Sequence, residues 1–148
     1  MSEKKLSAVD QQLFDAVDKG DLAAVQAAVV AGANVDAEGE TGMTPLSEAA
    51  NDGNLEIVEF LVEKGANINK KAQLTALMEA VCGEHGKVIQ YFLDKGATIS
   101  SGDLSIAQLR VNVREEGMEN GMLLPGAADN PKAILDALVA AYQKQEKK

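Results

Sequence analysis

Three short stretches, "VVAGANVD" (29–36), "VEKGANIN" (62–69) and "LDKGATIS" (93–100), repeat one pattern: an apolar residue, then Gly-Ala-Asn/Thr-Val/Ile and a small polar residue. Their glycines, Gly32, Gly65 and Gly96, recur at a nearly constant interval. That interval falls within the range of roughly 20–50 residues that marks a chain of supersecondary units. No such unit buries its apolar face alone, so each is completed by its neighbours. The 148 residues are therefore expected to form a short array rather than one enclosed globule.

A second landmark keeps the same register. Thr44-Pro45-Leu46 aligns with Thr75-Ala76-Leu77 and, less well, with Gln11-Gln12-Leu13. Each of these leucines is followed, at one fixed spacing, by an apolar position in a second helical pattern: Ala24 after Leu13, Ile57 after Leu46 and Val88 after Leu77. The unit reads as helix, tight turn, helix, loop. In the middle unit Leu55, Val58 and Val62 recur at i, i+3 and i+7, with Ile57 and Leu61 widening the stripe to a core-facing width. Thr44 is suited to cap the helix start with its hydroxyl, Pro45 to occupy the first helical position, and Gly53 to stop the helix in a left-handed conformation. Helices this short are marginal in water, so their stability has to come from stacking.

The run Thr44-Pro45-Leu46-Ser47-Glu48-Ala49 resembles the Thr-Pro-Leu-His-x-Ala signature of ankyrin repeats, and "GNLEIVEFLVEKGANIN" (53–69) is similar to the second half of that unit. The resemblance runs from around Asp10 to around Ser100. It implies an all-α ankyrin-repeat solenoid of about four helix-turn-helix units with hairpin-like finger loops, forming a single domain over 1–148. The units fall at about 8–36, 37–69, 70–100 and 101–143. The last is an irregular C-terminal capping unit. "LSIA" (104–107) begins like a first helix and "KAILDALVAAY" (132–142) like a second, the latter capped by Asp129 or Asn130 with Pro131 just inside. The interval from Leu104 to Ile134 is far longer than that from Leu46 to Ile57 or from Leu77 to Val88, and the excess is assigned to an insertion at 110–130.

Departures from the family pattern carry expectations of their own. Phe14, Ser47 and Met78 stand where the family has its signature His, so the inter-repeat hydrogen bonding of that His is expected to be missing. Glu84 stands where the stop glycine belongs, with Gly83 beside it to shift the stop by one position. His85 falls where the family often has Gly-His, a structural place.

Charge and composition narrow the function classes. With 23 acidic against 14 basic residues the net charge is −9, which repels phosphate backbones and anionic lipid and favours a protein partner with a basic surface. Aromatics are only 3% of a chain that is 46% hydrophobic, so the core has to be built from small aliphatic side chains. Cys82 is the single cysteine and cannot form an internal disulfide. There is no apolar run of about 18 residues and no secretory signal, which gives a cytoplasmic expectation. Phosphate-loop, Cys-x-x-Cys, His-Glu-x-x-His and calcium-loop patterns are absent, so no catalytic, cofactor-binding or metal-binding residue is assigned. His85 and Cys82 flank a helix turn and are not read as a nucleophile and its base.

Candidate partner-binding residues follow from the register. Asp15, Glu48 and Glu79 are equivalent, and one turn on stand Asp18 with Lys19, Asn51 with Asp52, and Cys82 with Gly83. Offsets of three and four share a helix face, so stacking would line these up as a stripe on the concave side that the family uses for partners. The loops "AEGETGM" (37–43) and "KKAQL" (70–74) are expected to project as fingers, offering Glu40, Thr41 and Met43 from one and Lys71 and Leu74 from the other. The insertion holds Met118, Met122, Leu123 and Leu124 among Gly117, Gly121, Pro125 and Gly126. Such an apolar loop either covers the end of the stack or forms a contact site. The "QKQEKK" tail is expected to fray. Together these readings make the chain a non-catalytic protein-interaction module. The alternative is a dedicated inhibitor or immunity-type protein that blocks a partner enzyme.

Overall fold

A computed structural model of the protein describes residues 6–70, 74–118 and 131–147, with side chains over 6–70, 74–109 and 134–147. Eight α-helices and no strand occur among the described residues: α1 (Ala8–Lys19), α2 (Leu22–Val30), α3 (Pro45–Asp52), α4 (Leu55–Glu63), α5 (Ala76–Gly83), α6 (Gly86–Asp94), α7 (Ser101–Met118) and α8 (Pro131–Glu146). Odd-numbered helices form an inner row in which α3 packs between α1 and α5, and α5 against α7. Even-numbered helices form the outer row.

Each short helix carries its own boundary chemistry. The Ser47 N–H donates to Thr44 Oγ1 at 3.1 Å, Pro45 opens α3, and Gly53 closes it at φ 75°. Ser7 and Thr75 cap α1 and α5 in the same way, at 3.1 and 3.2 Å. Asp21 and Asn54 cap the outer helices α2 and α4. One expectation fails here. Gly83 does not shift the stop of α5; it stays in the helix, and Glu84 itself takes the left-handed conformation at φ 59°. Gly83 is held in place for another reason. A Cβ there would lie 2.5 Å from the His85 ring and 2.8 Å from the Asn51 carbonyl oxygen, a backbone atom that cannot move aside.

The core is a set of columns running along the stack. Leu13, Leu46 and Leu77 are nearly inaccessible on the inner helices, as are Val25, Val58 and Ile89 on the outer ones. Ala16, Ala49, Ala80 and Ala107 form the small-residue column that lets the inner helices approach closely. Sealing a leucine or isoleucine in this way contributes roughly 1.5–3 kcal/mol each. Every such column crosses a unit boundary, so no unit keeps its stability alone.

The terminal unit departs from the expected plan in two respects. Residues 110–118, assigned to an insertion, continue α7, which is 18 residues long where α3 and α5 have 8. The remainder of the insertion, 119–130, including Met122, Leu123 and Leu124 and the expected caps Asp129 and Asn130, lies outside the described residues. The C-terminal tail is not frayed through Glu146, because Gln145 clamps a neighbouring loop: the Ile99 N–H donates to its Oε1 at 3.0 Å, and its Nε2 donates to the Ile99 carbonyl at 3.2 Å.

Candidate functional site

The inner-helix face stands on loops that are tied at their bases by a ladder of polar contacts. Asp10 Oδ1 accepts from the Asn34 N–H at 2.7 Å, Asp36 Oδ1 from the Asn67 N–H at 2.9 Å, and Asn69 Oδ1 from the Thr98 N–H at 2.8 Å. Gln145 takes the same role at Ile99. Within each loop a second bond fixes the turn: the Asp36 N–H donates to Asn34 Oδ1, and the Asn69 N–H to Asn67 Oδ1, both at 3.0 Å. Sequence reasoning missed this ladder, although its signal is visible as Asn34-x-Asp36 and Asn67-x-Asn69. The Asn34 amide holds the Asp10 carboxyl below its ordinary range, since a backbone N–H pointed at a carboxylate favours the charged form.

On the inner-helix face the carboxylates show the opposite behaviour. Glu48, half-buried on α3, is pushed up to about 7, first by burial and then by the negative charges of Asp18 and Asp52. Asp52 is also raised, by burial and by Asp18, with His85 acting the other way. The structure thus brings Asp18 of the first unit together with Glu48 and Asp52 of the second, a diagonal grouping across the unit boundary. Asp15 and Glu79 keep the register positions read from the sequence but sit in different surroundings. Asp15 is exposed and accepts from Gln11 Nε2 at 3.0 Å. Glu79, half-buried on α5, is raised by burial alone. Asn51 is exposed and Cys82 half-buried.

His85 joins this face from behind. Its Nε2 lies 2.8 Å from the Asn51 carbonyl oxygen, and because a carbonyl only accepts, Nε2 carries the proton. The ring is wedged so tightly that a Cβ on Gly53 would come within 2.4 Å of it. His85 therefore latches the third unit to the end of α3, which positions Asn51 and Asp52. With Nε2 committed to that carbonyl, the imidazole holds the structural place expected of it.

Of the fingers, the first is fully described. The Gly39 N–H donates to the Met43 carbonyl and the Gly42 N–H to the Gly39 carbonyl, both at 2.9 Å, giving a tight reversal at whose tip Glu40 and Thr41 are both exposed. Phe14, in the place of the signature His, is buried with its ring against Gly39, so a core aromatic supports the finger. In the second unit the same place is filled by Ser47, whose hydroxyl pairs with Thr44 Oγ1 at 3.0 Å. Met43 and Leu74 are half-buried, partly folded back rather than fully presented. Lys70 links the two fingers, donating to the Asp36 carbonyl and lying 3.6 Å from Glu38. Lys71 and Met122 lie outside the described residues, and Met118 is described only as the last residue of α7.

On the outer row Lys64 lies over the Phe60 ring and Lys95 over the Tyr91 ring, at 5.6 and 5.7 Å. Among the described residues no group of side chains could hold a metal ion, and no helix is long and apolar enough to cross a membrane.

Paired short helices, a regular period and tight loop reversals coincide with a family model of ankyrin repeats in three copies, which matches residues 13–103. The chain belongs to the ankyrin repeat family. It is 38% identical over 90 residues to BRCA1-associated RING domain protein 1 of Caenorhabditis elegans, covering 59% of this chain and 13% of that protein. It is 26% identical over 128 residues to the E3 ubiquitin-protein ligase hecd-1 of the same organism, covering 86% of this chain and 5% of the ligase. With the ankyrin repeat and KH domain-containing protein mask of Drosophila melanogaster it shares 37% identity over 71 residues, 45% of this chain and 2% of mask. This chain thus spans only a small part of these relatives, and the similarity to the ligase lies in the repeats. Ankyrin repeats are a non-catalytic fold that generally binds other proteins.

Proposed function

We propose that this ankyrin stack is a non-catalytic module that receives a partner with a basic surface on its inner-helix face and first finger. The observation that carries the reading is the grouping of Asp18, Glu48 and Asp52 on a face locked by the His85 latch. Burial and mutual repulsion make ionised Glu48 unfavourable in the free protein. A Lys or Arg placed among the three carboxylates removes that repulsion, so the cost carried by the free face is recovered on binding. Glu40 and exposed Thr41 extend the contact beyond the helices.

Protonation gives the reading a signature. Glu48 is partly neutral near pH 7, and a cationic partner drives its ionisation, so binding releases protons and affinity rises as pH approaches about 7 from below and levels off above it. The test begins with capture of partners from a native extract and identification of a stoichiometric one. Its affinity is then measured for the wild type and for the Asp18→Lys/Glu48→Lys/Asp52→Lys variant at low and moderate salt. A loss of tenfold or more that shrinks as salt rises supports the reading; equal affinity at low salt removes the carboxylate face from it. Should the captured partner be an enzyme whose turnover falls on complexation, the module acts as an inhibitor.

A further inference from the structure

The inner-helix face changes character along the stack. Leu13, Leu46, Leu77 and Leu104 set the register, and two places after them stand Asp15, Glu48, Glu79 and Ile106. Five places after them come Asp18, Asn51, Cys82 and Leu109. Both columns are charged or polar on α1 and α3 and apolar on α7. The change falls at α5, where Glu79 is raised by burial alone, whereas Glu48 also feels Asp18 and Asp52. Cys82 and Ile106 are half-buried, and Leu109 is 62% exposed. A third column, Lys19, Asp52 and Gly83, loses its charge at α5, and Arg110, next in register, is described in backbone only.

We infer that this face recognises a bipartite partner: one extended segment whose Lys or Arg sits among Asp18, Glu48 and Asp52, and whose large apolar side chain covers Cys82, Ile106 and Leu109. The inference rests on the carboxylate reading above and names what the rest of the same face receives. Three observations select that occupant. Helices α3, α5 and α7 pack in sequence, so a segment held at the carboxylates runs on over α5 to α7 without leaving the face. A second cation is disfavoured at the α7 end. Cys82, Ile106 and Leu109 offer it no negative charge, Arg110 is itself basic, and a cation that sheds water without a counter-charge is costly. Another copy of this chain is disfavoured at the other end, because it would bring a net charge of −9 toward the carboxylates.

Helix spacing sets the distance between the two anchors. Packed helices lie about 8–10 Å apart, so the two steps from α3 to α7 span roughly 16–20 Å. An extended chain rises about 3.3 Å per residue, which separates the cation from the apolar side chain by about five or six residues. The arrangement is selective. A run of lysines satisfies the α3 end alone, and an uncharged apolar segment satisfies the α7 end alone. Covering a leucine-sized side chain is worth about tenfold in affinity, so a segment with both anchors outcompetes either kind.

Selection of random linear peptides displayed on phage against the full chain tests it, with affinities of the enriched peptides read by fluorescence anisotropy. Enriched peptides are expected to carry Lys or Arg and, about five or six residues away, Leu, Ile, Phe or Met. Replacing that apolar residue by Ser should weaken binding to the wild type about tenfold. On Leu109→Asp, and on the milder Leu109→Ser, the same replacement should have little effect, while replacing the basic residue still weakens binding; helical circular dichroism should be unchanged in both. On the Asp18→Lys/Glu48→Lys/Asp52→Lys variant the pattern should reverse. Basic peptides with no apolar residue at a set distance overturn this inference and leave the carboxylate reading standing, as does an equal Ser penalty on the wild type and both Leu109 variants. Enriched peptides that bind the triple-Lys variant unchanged, or no enrichment, overturn both.

Discussion

Asp10 and Glu48 are both carboxylates on inner helices, and the fold treats them in opposite ways. At the loop bases Asp10 is met by the Asn34 backbone N–H, and its charged form is favoured. On the inner-helix face Glu48 is half-buried beside two more negative charges, and its charged form is disfavoured. The first arrangement belongs to the ladder that fixes the loops between units. The second makes ionisation of Glu48 costly in the folded protein. The difference lies in what the stack brings to each carboxylate, since both sit on similar inner-row helices.

The largest expected effect comes from breaking the latch that keeps the second and third units aligned. Gly83→Ala puts a methyl group against the His85 ring and the Asn51 carbonyl, and should lower unfolding free energy by about 2–3 kcal/mol. Urea denaturation checks it; a gain, as expected for Ala in an ordinary helix, would refute the latch. Next, Asp36→Ala removes the acceptor for the Asn67 N–H and should cost about 1–2 kcal/mol by the same measurement, whereas an unchanged midpoint would deny the ladder its role.

Glu48→Gln moves stability the other way. Because the folded pKa of Glu48 lies above the ordinary 4.5, the native state holds more protons than the unfolded chain between about pH 4.5 and 7. Its contribution to stability therefore falls as pH rises through that window and levels off above it. Allowing for solvent screening of a half-exposed group, the variant should be more stable by about 1–2 kcal/mol at pH 8 and should flatten the slope between pH 4.5 and 7. An unchanged slope would remove the contrast with Asp10. The smallest effect is expected from Asp10→Asn, which keeps an acceptor oxygen and loses only its charge. The lowered pKa of Asp10 gives stability that is present above its unfolded value and lost as pH falls through the folded one. The variant should therefore be slightly less stable than the wild type at neutral pH, a deficit that closes in acid and is read from thermal melts across pH.

Much of the fold was legible because its signals are local. Thr44, Pro45 and Gly53 announce the start and stop of α3 within one short segment, and the Gly-Ala-Asn/Thr loops announce the period. The length of α7 was not legible by subtraction, because surplus chain can lengthen a helix as readily as a loop. The uninterrupted run from Leu104 to Glu116, with no Gly or Pro, was the signal available. Glu84 misled in a related way. Sterics alone favour Gly83 as the stop, whereas the packing of Gly83 on His85 and Asn51 leaves the strained conformation to its neighbour.

The repeat, the helix pairs with their caps, and the family could all be read from the chain, since they depend on hydrogen bonds and apolar spacing within a few turns. Which carboxylates meet could not, because it rests on packing between units. Asp18 and Glu48 belong to successive units, and their encounter depends on how closely the alanine column lets the inner helices approach. Electrostatic and hydrogen-bond energies change steeply over a few ångströms, so that spacing separates a carboxylate that braces a loop from one whose ionisation is disfavoured.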